Sequence, residues 1–470
     1  MKYILNESIA LRGWRIIPFA YYTKGSVYAQ KLTAEESFFL ASCDGATEHE
    51  PTALSERLLA RGLIHPARDG EHLTDWQKPR YCDNRYFPAV NWSITGRCNY
   101  NCKHCFMAAD NAQPTWEFSR DEWMKTLDEL DKCGVQSVNL TGGEPMLHPD
   151  FMEIMREIHR RGMEVHYINT NGAFITAGML GAFREMGANP LLKISFDCLG
   201  HHDWMRGRAG AEQRALRAID LCKEHGFRVR VQTCIHRLNI GALYDTAVFM
   251  AEKGVEEMRI IRTTESLRWK ENAGDACLDV DEYYDRMLEF TEKYAATGLP
   301  MEIDIWQFLQ FFPKDRTYHY RPVLGGCHSF RDSAPMCRSN RGMIAINSDG
   351  SLVPCNQMSG YFEKHGWDLG NVKRDGLQPL LQDSDYLRSV TCPISKVFEH
   401  NAECAACPYN RLCCSGCRAI ATVLTGDFWG IDPSKCLYFK KGYMEKTDAV
   451  FARVAETFGI EYHNIDDVTE

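Results

Sequence analysis

The sequence predicts an α/β protein built on a partial (β/α)6 barrel, preceded by a winged-helix-like α+β module and followed by an irregular, cysteine-rich domain. Three observations carry that prediction. From about 89 to 310, short β-rich runs alternate with amphipathic helical stretches, the pattern of βα units around a parallel sheet, open or curled. Before them come a few short strands, two helices and a wing. From about 320 to 440 the periodicity fades while Cys, Gly and Pro become frequent, so that region needs staples to hold a shape.

Residues 1–75 hold strands at Trp14 to Tyr22 and Ser26 to Lys31. Thr33 with Glu36 makes a capping box for the first helix, and Gly62 closes a second that begins near Pro51. Residues 76–88 read as a linker. Within 89–315 the six strands run Ala89 to Thr95, Ser137 to Thr141, Glu164 to Asn169, Leu191 to Asp197, Arg228 to Thr233 and Met258 to Arg262. In such folds chemistry sits at the C-terminal ends of strands. Residues 316–440 form the cysteine-rich domain, with a short strand at Met343 to Asn347, and 441–470 a C-terminal helix and tail.

Composition narrows the function classes. With 470 residues and 44% hydrophobic content, the chain can bury large cores. Its net charge of -9 provides no basic field for nucleic acid or an anionic membrane, so neither is an expected partner. Glu7, Arg12 and Arg15 interrupt any signal-peptide core, and no apolar run approaches a membrane span, which leads to the expectation of a cytoplasmic protein. Thiols stay reduced there, so the 20 cysteines point to metal or iron-sulfur binding rather than disulfides. The isolated Cys43, Cys133 and Cys222 are expected to be small buried hydrophobes.

Directly after the first barrel strand comes Cys98-Asn-Tyr-Asn-Cys102-Lys-His-Cys105. Three thiolates on so short a loop can hold three irons of a cubane and leave the fourth without a protein ligand. A zinc site with His104 as fourth ligand is the competing reading, and the loop's place at a strand end weighs against it. The loop resembles the signature of the radical S-adenosylmethionine (SAM) superfamily, and the resemblance extends across the six-unit domain. It implies that Cys98, Cys102 and Cys105 hold a catalytic 4Fe-4S cluster whose open iron is chelated by the methionyl end of SAM. An electron from that cluster, with a flavodoxin or ferredoxin as donor, would cleave SAM to a 5'-deoxyadenosyl radical that abstracts hydrogen from substrate. His104 stands where the family usually has an aromatic ring, and imidazole can also pack against adenine.

One βα unit later, Thr141-Gly142-Gly143-Glu144-Pro145 looks like the family's GGE motif. Glycines let backbone approach a ligand, and the Glu144 carboxylate can pair with the methionyl ammonium. Its plainer reading is a βα turn, since Gly-Gly pairs are common punctuation. Ser195 and Asp197 end the fourth strand on one face, within reach of a ribose. Arg206, in His202-Asp-Trp-Met-Arg206-Gly207, falls in a stretch similar to the family's SAM-contacting segment, and Asn171 after the third strand is a further candidate. For these four, a strand-end cap or surface charge is the alternative.

Farther along, Cys337 is followed by Gly350 and Cys355, then by Cys404-x2-Cys407-x5-Cys413-x3-Cys417 and, after a gap, Cys436. This is similar to the seven-cysteine SPASM pattern found downstream of many radical SAM domains. The resemblance implies two auxiliary 4Fe-4S clusters, three clusters in all. The first would use Cys337, Cys355 and Cys417, the second Cys404, Cys407, Cys413 and Cys436, with Cys327 as the eighth ligand completing the first. Cys414 and Cys392 have no counterpart in the motif. Zinc knuckles are the alternative.

A winged module raises a DNA-binding regulator as a competing hypothesis, but acidic residues outnumber basic ones in residues 1–75 and the second helix offers only Arg57 beside Glu56. Such a module can instead capture an extended peptide by strand addition. Lys31-Leu-Thr-Ala-Glu-Glu with Cys43-Asp-Gly45 and Leu63-Ile64 resembles the leader-binding element of enzymes that mature ribosomally made peptides. The expected activity is therefore oxidative crosslinking of a precursor peptide with a leader, with a thioether favoured. The alternatives are epimerisation, with Cys198 or Cys234 as hydrogen donor, and sulfatase maturation. Sulfatase-maturing enzymes typically place an aspartate where this chain has Asn356.

Overall fold

The computed structural model describes residues 1–107, 117–263, 267–313, 317–320, 333, 336–337, 342–459 and 461–463. The N-terminal part runs β1 (Lys2–Leu5), β2 (Ile9–Trp14), β3 (Ile17–Thr23), β4 (Gln30–Lys31), α1 (Ala34–Ser42), β5 (Asp44–Glu48), α2 (Ala53–Ala60), β6 (Ile64–Pro66) and β7 (Arg80–Cys82). It forms two small sheets, ordered β5-β1-β6 and β4-β3-β2-β7. The capping box is present: Glu36 N donates to Thr33 Oγ1 at 3.1 Å and Thr33 N to Glu36 Oε2 at 2.9 Å. The run Trp14 to Tyr22, expected as one strand, is instead the end of β2, a tight turn and most of β3, with Trp14 paired to Ile17. Of Ser26 to Lys31 only Gln30–Lys31 is strand. The segment 76–88, read as a linker, carries β7, which pairs in parallel with β2.

The barrel follows as β8 (Ala89–Thr95), α3 (Arg120–Lys132), β9 (Ser137–Gly142), α4 (Phe151–Arg160), β10 (Glu164–Thr170), α5 (Ala177–Glu185) and β11 (Leu191–Ser195). It continues with α6 (His202–Arg206), α7 (Ala211–Glu224), β12 (Val229–Ile235), α8 (Leu243–Glu252), β13 (Glu257–Arg262), α9 (Leu267–Asn272), α10 (Val280–Ala295) and β14 (Glu302–Ile305). Each strand from β9 to β14 pairs in parallel with its predecessor. Right-handed crossovers repeated in one direction put the helices on one side, so the sheet curls away from them. The helix-facing side chains Val90, Trp92, Leu140, Ile194, Val231 and Ile260 are fully buried.

The sheet is wider than six units. It gains β15 (Leu309–Phe312), β16 (Thr317–Tyr320), β17 (Met343–Ile346) and β18 (Glu461–His463), giving eleven strands in the order β17-β8-β9-β10-β11-β12-β13-β14-β15-β16-β18. Thus the Met343 strand pairs with β8 and the tail with β16. The cysteine-rich stretch is not irregular throughout: between Ser359–His365 and Pro433–Lys440 it folds into short helices, most of four to eight residues. Helices of one or two turns are too short for an apolar period to show. Cys43, Cys133 and Cys222 are fully buried in hydrophobic clusters.

The N-terminal part docks on the end of α3. Trp14 is fully buried and its indole Nε1 donates to Cys133 O at 3.0 Å, while Tyr22 Oη donates to Gly134 O at 3.3 Å. Arg80 forks onto Asp131 with two bonds of 2.9 Å.

Candidate active site

The three-cysteine loop leaves the end of β8, and the GGE turn at the end of β9 is fastened beneath it. Gly143 N donates to Thr95 O at 2.8 Å and Glu144 N to Arg97 O at 2.7 Å. A Cβ on Gly143 would collide with the Arg97 carbonyl, and one on Gly142 with that of Thr95. The glycines are needed because two backbones touch here, the second being the stem of the cysteine loop itself.

Glu144 is fully buried. Its Oε1 accepts from Thr170 Oγ1 at 2.9 Å and Met146 N at 3.3 Å, and its Oε2 from Asn171 N at 2.8 Å. Burial outweighs those bonds and pushes its pKa up to about 7. A buried carboxylate with no cationic partner among the described residues gains most from an ammonium brought to it, which fits the methionyl end of SAM. Asn171 donates from Nδ2 to Asn99 Oδ1 at 2.7 Å, tying the end of β10 to the cysteine loop. Thr170 and Asn99 escaped the sequence reading, because nothing local marks residues whose role is to hold a neighbouring strand's side chain.

Helix α6 buttresses the loop from the other side. Lys103 N donates to Met205 O at 2.9 Å, and Arg206 Nη1 approaches Cys102 Sγ at 3.8 Å. Arg206 Nε lies 2.6 Å from Asp197 Oδ2, and Asp197 Oδ1 accepts from Cys234 N at 3.0 Å. Burial alone would raise the Asp197 pKa, but the Arg206 guanidinium wins and holds the carboxyl well below the usual range. The structure therefore commits Asp197 and Arg206 to each other and to the cysteine loop. Ser195, on the same face, keeps a partly exposed side chain.

An N–H aimed at a thiolate ligand, backed by positive charge, makes a cluster easier to reduce. In protein reconstituted with iron and sulfide and free of SAM, Arg206→Gln should make the catalytic cluster's potential more negative, and Asp197→Asn, which leaves the guanidinium uncompensated, more positive. EPR-monitored redox titration reads both. Shifts of the same sign would mean that the pair only shapes the loop.

Ligand atoms of His104, Asp197 and Cys234 all lie within 4.8 Å of one another. Burial pushes the His104 pKa down to about 3, so its imidazole is neutral, and pushes the Cys234 thiol up to about 12, so it keeps its S–H. Cys198 is fully buried in the barrel's main hydrophobic cluster. Of the two thiols considered as hydrogen donors, Cys234 is the one brought to the site.

The C-terminal cysteines fall into two groups. Cys404, Cys407, Cys413 and Cys436 line one cavity, with Asp432 and Lys440 at its wall. Cys355 has Cys417 and Cys337 as its thiol neighbours, and burial pushes it up to about 12. Asp432 joins the two groups: its Oδ2 accepts from Cys417 N at 2.8 Å and its Oδ1 from Ser434 N at 2.9 Å. Four thiols around one cavity and three gathered near one another fit thiolate-bound iron-sulfur clusters. Cys327 lies outside the described residues. Cys414 packs into the core, and Cys392 Sγ faces Pro393 O at 3.8 Å in a separate cleft lined by Trp367 and Trp429.

Three cysteines on one loop at the end of the first parallel strand, with more cysteines gathered in the C-terminal part, have the donor chemistry of iron-sulfur clusters. Residues 92–249 match the model of the radical SAM superfamily, and residues 337–408 that of SPASM, an iron-sulfur cluster-binding domain. The chain is a radical SAM enzyme with a SPASM domain. It is similar to an AdoMet-dependent heme synthase of Methanosarcina barkeri, 25% identical over 355 residues that cover 74% of this chain and 96% of that protein. It is also similar to the subtilosin biosynthesis protein AlbA of Bacillus subtilis, 28% identical over 330 residues that cover 70% of this chain and 66% of that protein. Among solved structures, Streptococcus suis SuiB bound to its precursor peptide SuiA shares the fold at a TM-score of 0.64 and 14% identity, covering 92% of this chain and 99% of SuiB.

Proposed function

We propose that the chain is a peptide maturase that abstracts hydrogen from a leader-bearing precursor and closes an oxidative crosslink, with a thioether favoured. The observation that carries this reading is the open edge of the N-terminal sheet. Among the described residues strand β4 is the last of its sheet, both its residues are exposed, and α1 beside it presents Phe38, 68% exposed, against Phe19 with ring centroids 5.5 Å apart. An unpaired strand edge bordered by exposed aromatic surface is what an extended peptide needs for strand addition. Docking through Trp14 and Arg80 holds that edge at a fixed place relative to the barrel.

When bound, SAM and the catalytic cluster supply the 5'-deoxyadenosyl radical. The chain's own residues then have separate duties. Glu144 receives the methionyl ammonium, Asn171 and Thr170 hold Glu144, and Arg206 with Asp197 keeps the cysteine loop in place. The substrate radical must give up one more electron as a bond closes, and clusters held by the SPASM cysteines would supply an acceptor for it.

One observation favours a second reading. Cys234 carries a protonated thiol within the site, which is what returning a hydrogen atom to an epimerised residue requires.

The test uses anaerobic, iron-loaded enzyme with SAM and reductant, given in parallel a short precursor encoded beside the gene and Fe-coproporphyrin III. Turnover of the peptide with equivalent 5'-deoxyadenosine is expected. Turnover of the porphyrin alone would move the chain to the chemistry named for its heme-synthase relatives.

A further inference from the structure

The sheet has a second face. Alternation puts Asn91, Asn139, Tyr167, Lys193, Arg230 and Arg259 opposite the apolar residues that face the helices, so the concave interior is polar. Parallel strands buried on both faces read as continuous apolar runs, so this polar alternation marks an interior made to receive something.

Lys193 stands out within it. It is 7% exposed and its ammonium sits 3.0 Å from the centre of the Tyr167 ring. Neither a hydrogen-bond acceptor nor a carboxylate is within bonding distance among the described residues. The two carboxylates that act on it are already committed: Glu257 pairs with Arg230, and Asp304 with Arg259 at 2.6 Å. Glu302 lies in register with Glu257 but one strand farther from Lys193. Burial, then Arg230 and Arg259, push the Lys193 pKa well down. A buried ammonium that faces only an aromatic ring, with no acceptor or carboxylate, is costly unless a ligand completes it.

We propose that Lys193 is the recognition group of a carboxylate subsite inside the barrel, which takes an acidic group of the substrate. Lys193 lies two residues before Ser195 on the same face of β11, so the carboxylate sits roughly 7 Å deeper than the strand ends where SAM is held. The ion pair fixes how far the substrate enters and hence which carbon meets the radical. A glutamate or aspartate side chain of a peptide and a propionate of a tetrapyrrole offer the same chemistry, and the subsite stands whichever is the source.

The test measures binding by calorimetry to iron-loaded enzyme with SAM and no reductant. Two pairs of probes separate the sources: a capped hexapeptide with one glutamate against its glutamine counterpart, and coproporphyrin III against its tetraamide. In at least one pair the acid should bind about tenfold tighter than the amide. Lys193→Met should abolish that preference and Lys193→Arg keep part of it. Thermal melting of ligand-free protein gives an independent reading: Lys193→Met should melt at or above the wild-type temperature, since it removes an unpaired buried charge. Equal binding of acid and amide in both pairs, a preference that survives Lys193→Met, or a lower melting temperature would each overturn the proposal.

Discussion

Replacing Cys98, Cys102 and Cys105 together by alanine should abolish reductive cleavage of SAM and leave about eight of about twelve irons, the share expected for two auxiliary 4Fe-4S clusters out of three. The loss is expected to be total because, among the described residues, the other thiol grouped with His104 and Asp197 at that strand end is Cys234, which is buried and keeps its proton. The residual iron follows from the separation of the cysteine groups, since the C-terminal cysteines sit among the short helices of that region, with Asp432 tying Cys417 to the cavity of the other group. Iron analysis with quantified 5'-deoxyadenosine checks both halves. Continued 5'-deoxyadenosine formation would place the catalytic cluster elsewhere, and zinc at the C-terminal groups would remove the auxiliary clusters.

The second large effect concerns the N-terminal sheet. Deleting it would uncover the surface that Trp14 and Tyr22 now bury, so a loss of activity would say little about peptide capture. Changing the edge is cleaner. Lys31→Pro removes a backbone N–H from β4, and Phe38→Asp puts charge on the exposed ring position, both away from the docking face. Together they should raise KM for a leader-bearing precursor about tenfold, some 1.4 kcal/mol of remote binding energy. SAM cleavage without peptide should be unchanged. Unaltered KM in the double variant would show that the leader binds elsewhere.

Local features of the sequence carried most of the architecture. The six barrel strands were legible from apolar runs and turns, and the Thr33–Glu36 box from three-residue spacing. The wider sheet was not, because β17 and β18 pair with strands far away in the chain and no local pattern records a partner. At the site, the cysteine spacings named the thiols, and the geometry gathers them into three groups. What spacing could not show is how side chains from different strands share work: Glu144 held by Thr170 and Asn171, or Asp197 turned onto Arg206. The Lys193 face was legible in principle, as polar residues at every second position of strands that a parallel sheet buries, but only with both faces read together.

The measurement that bears most directly on the central claim is the mass of the peptide product formed in heavy water. Oxidative crosslinking predicts the loss of two hydrogens per bond with no deuterium at carbon, and an outcome unaffected by Cys234→Ala. A product of unchanged mass in light water that gains one deuterium in heavy water, and whose formation Cys234→Ala blocks, would contradict the account and make the chain an epimerase.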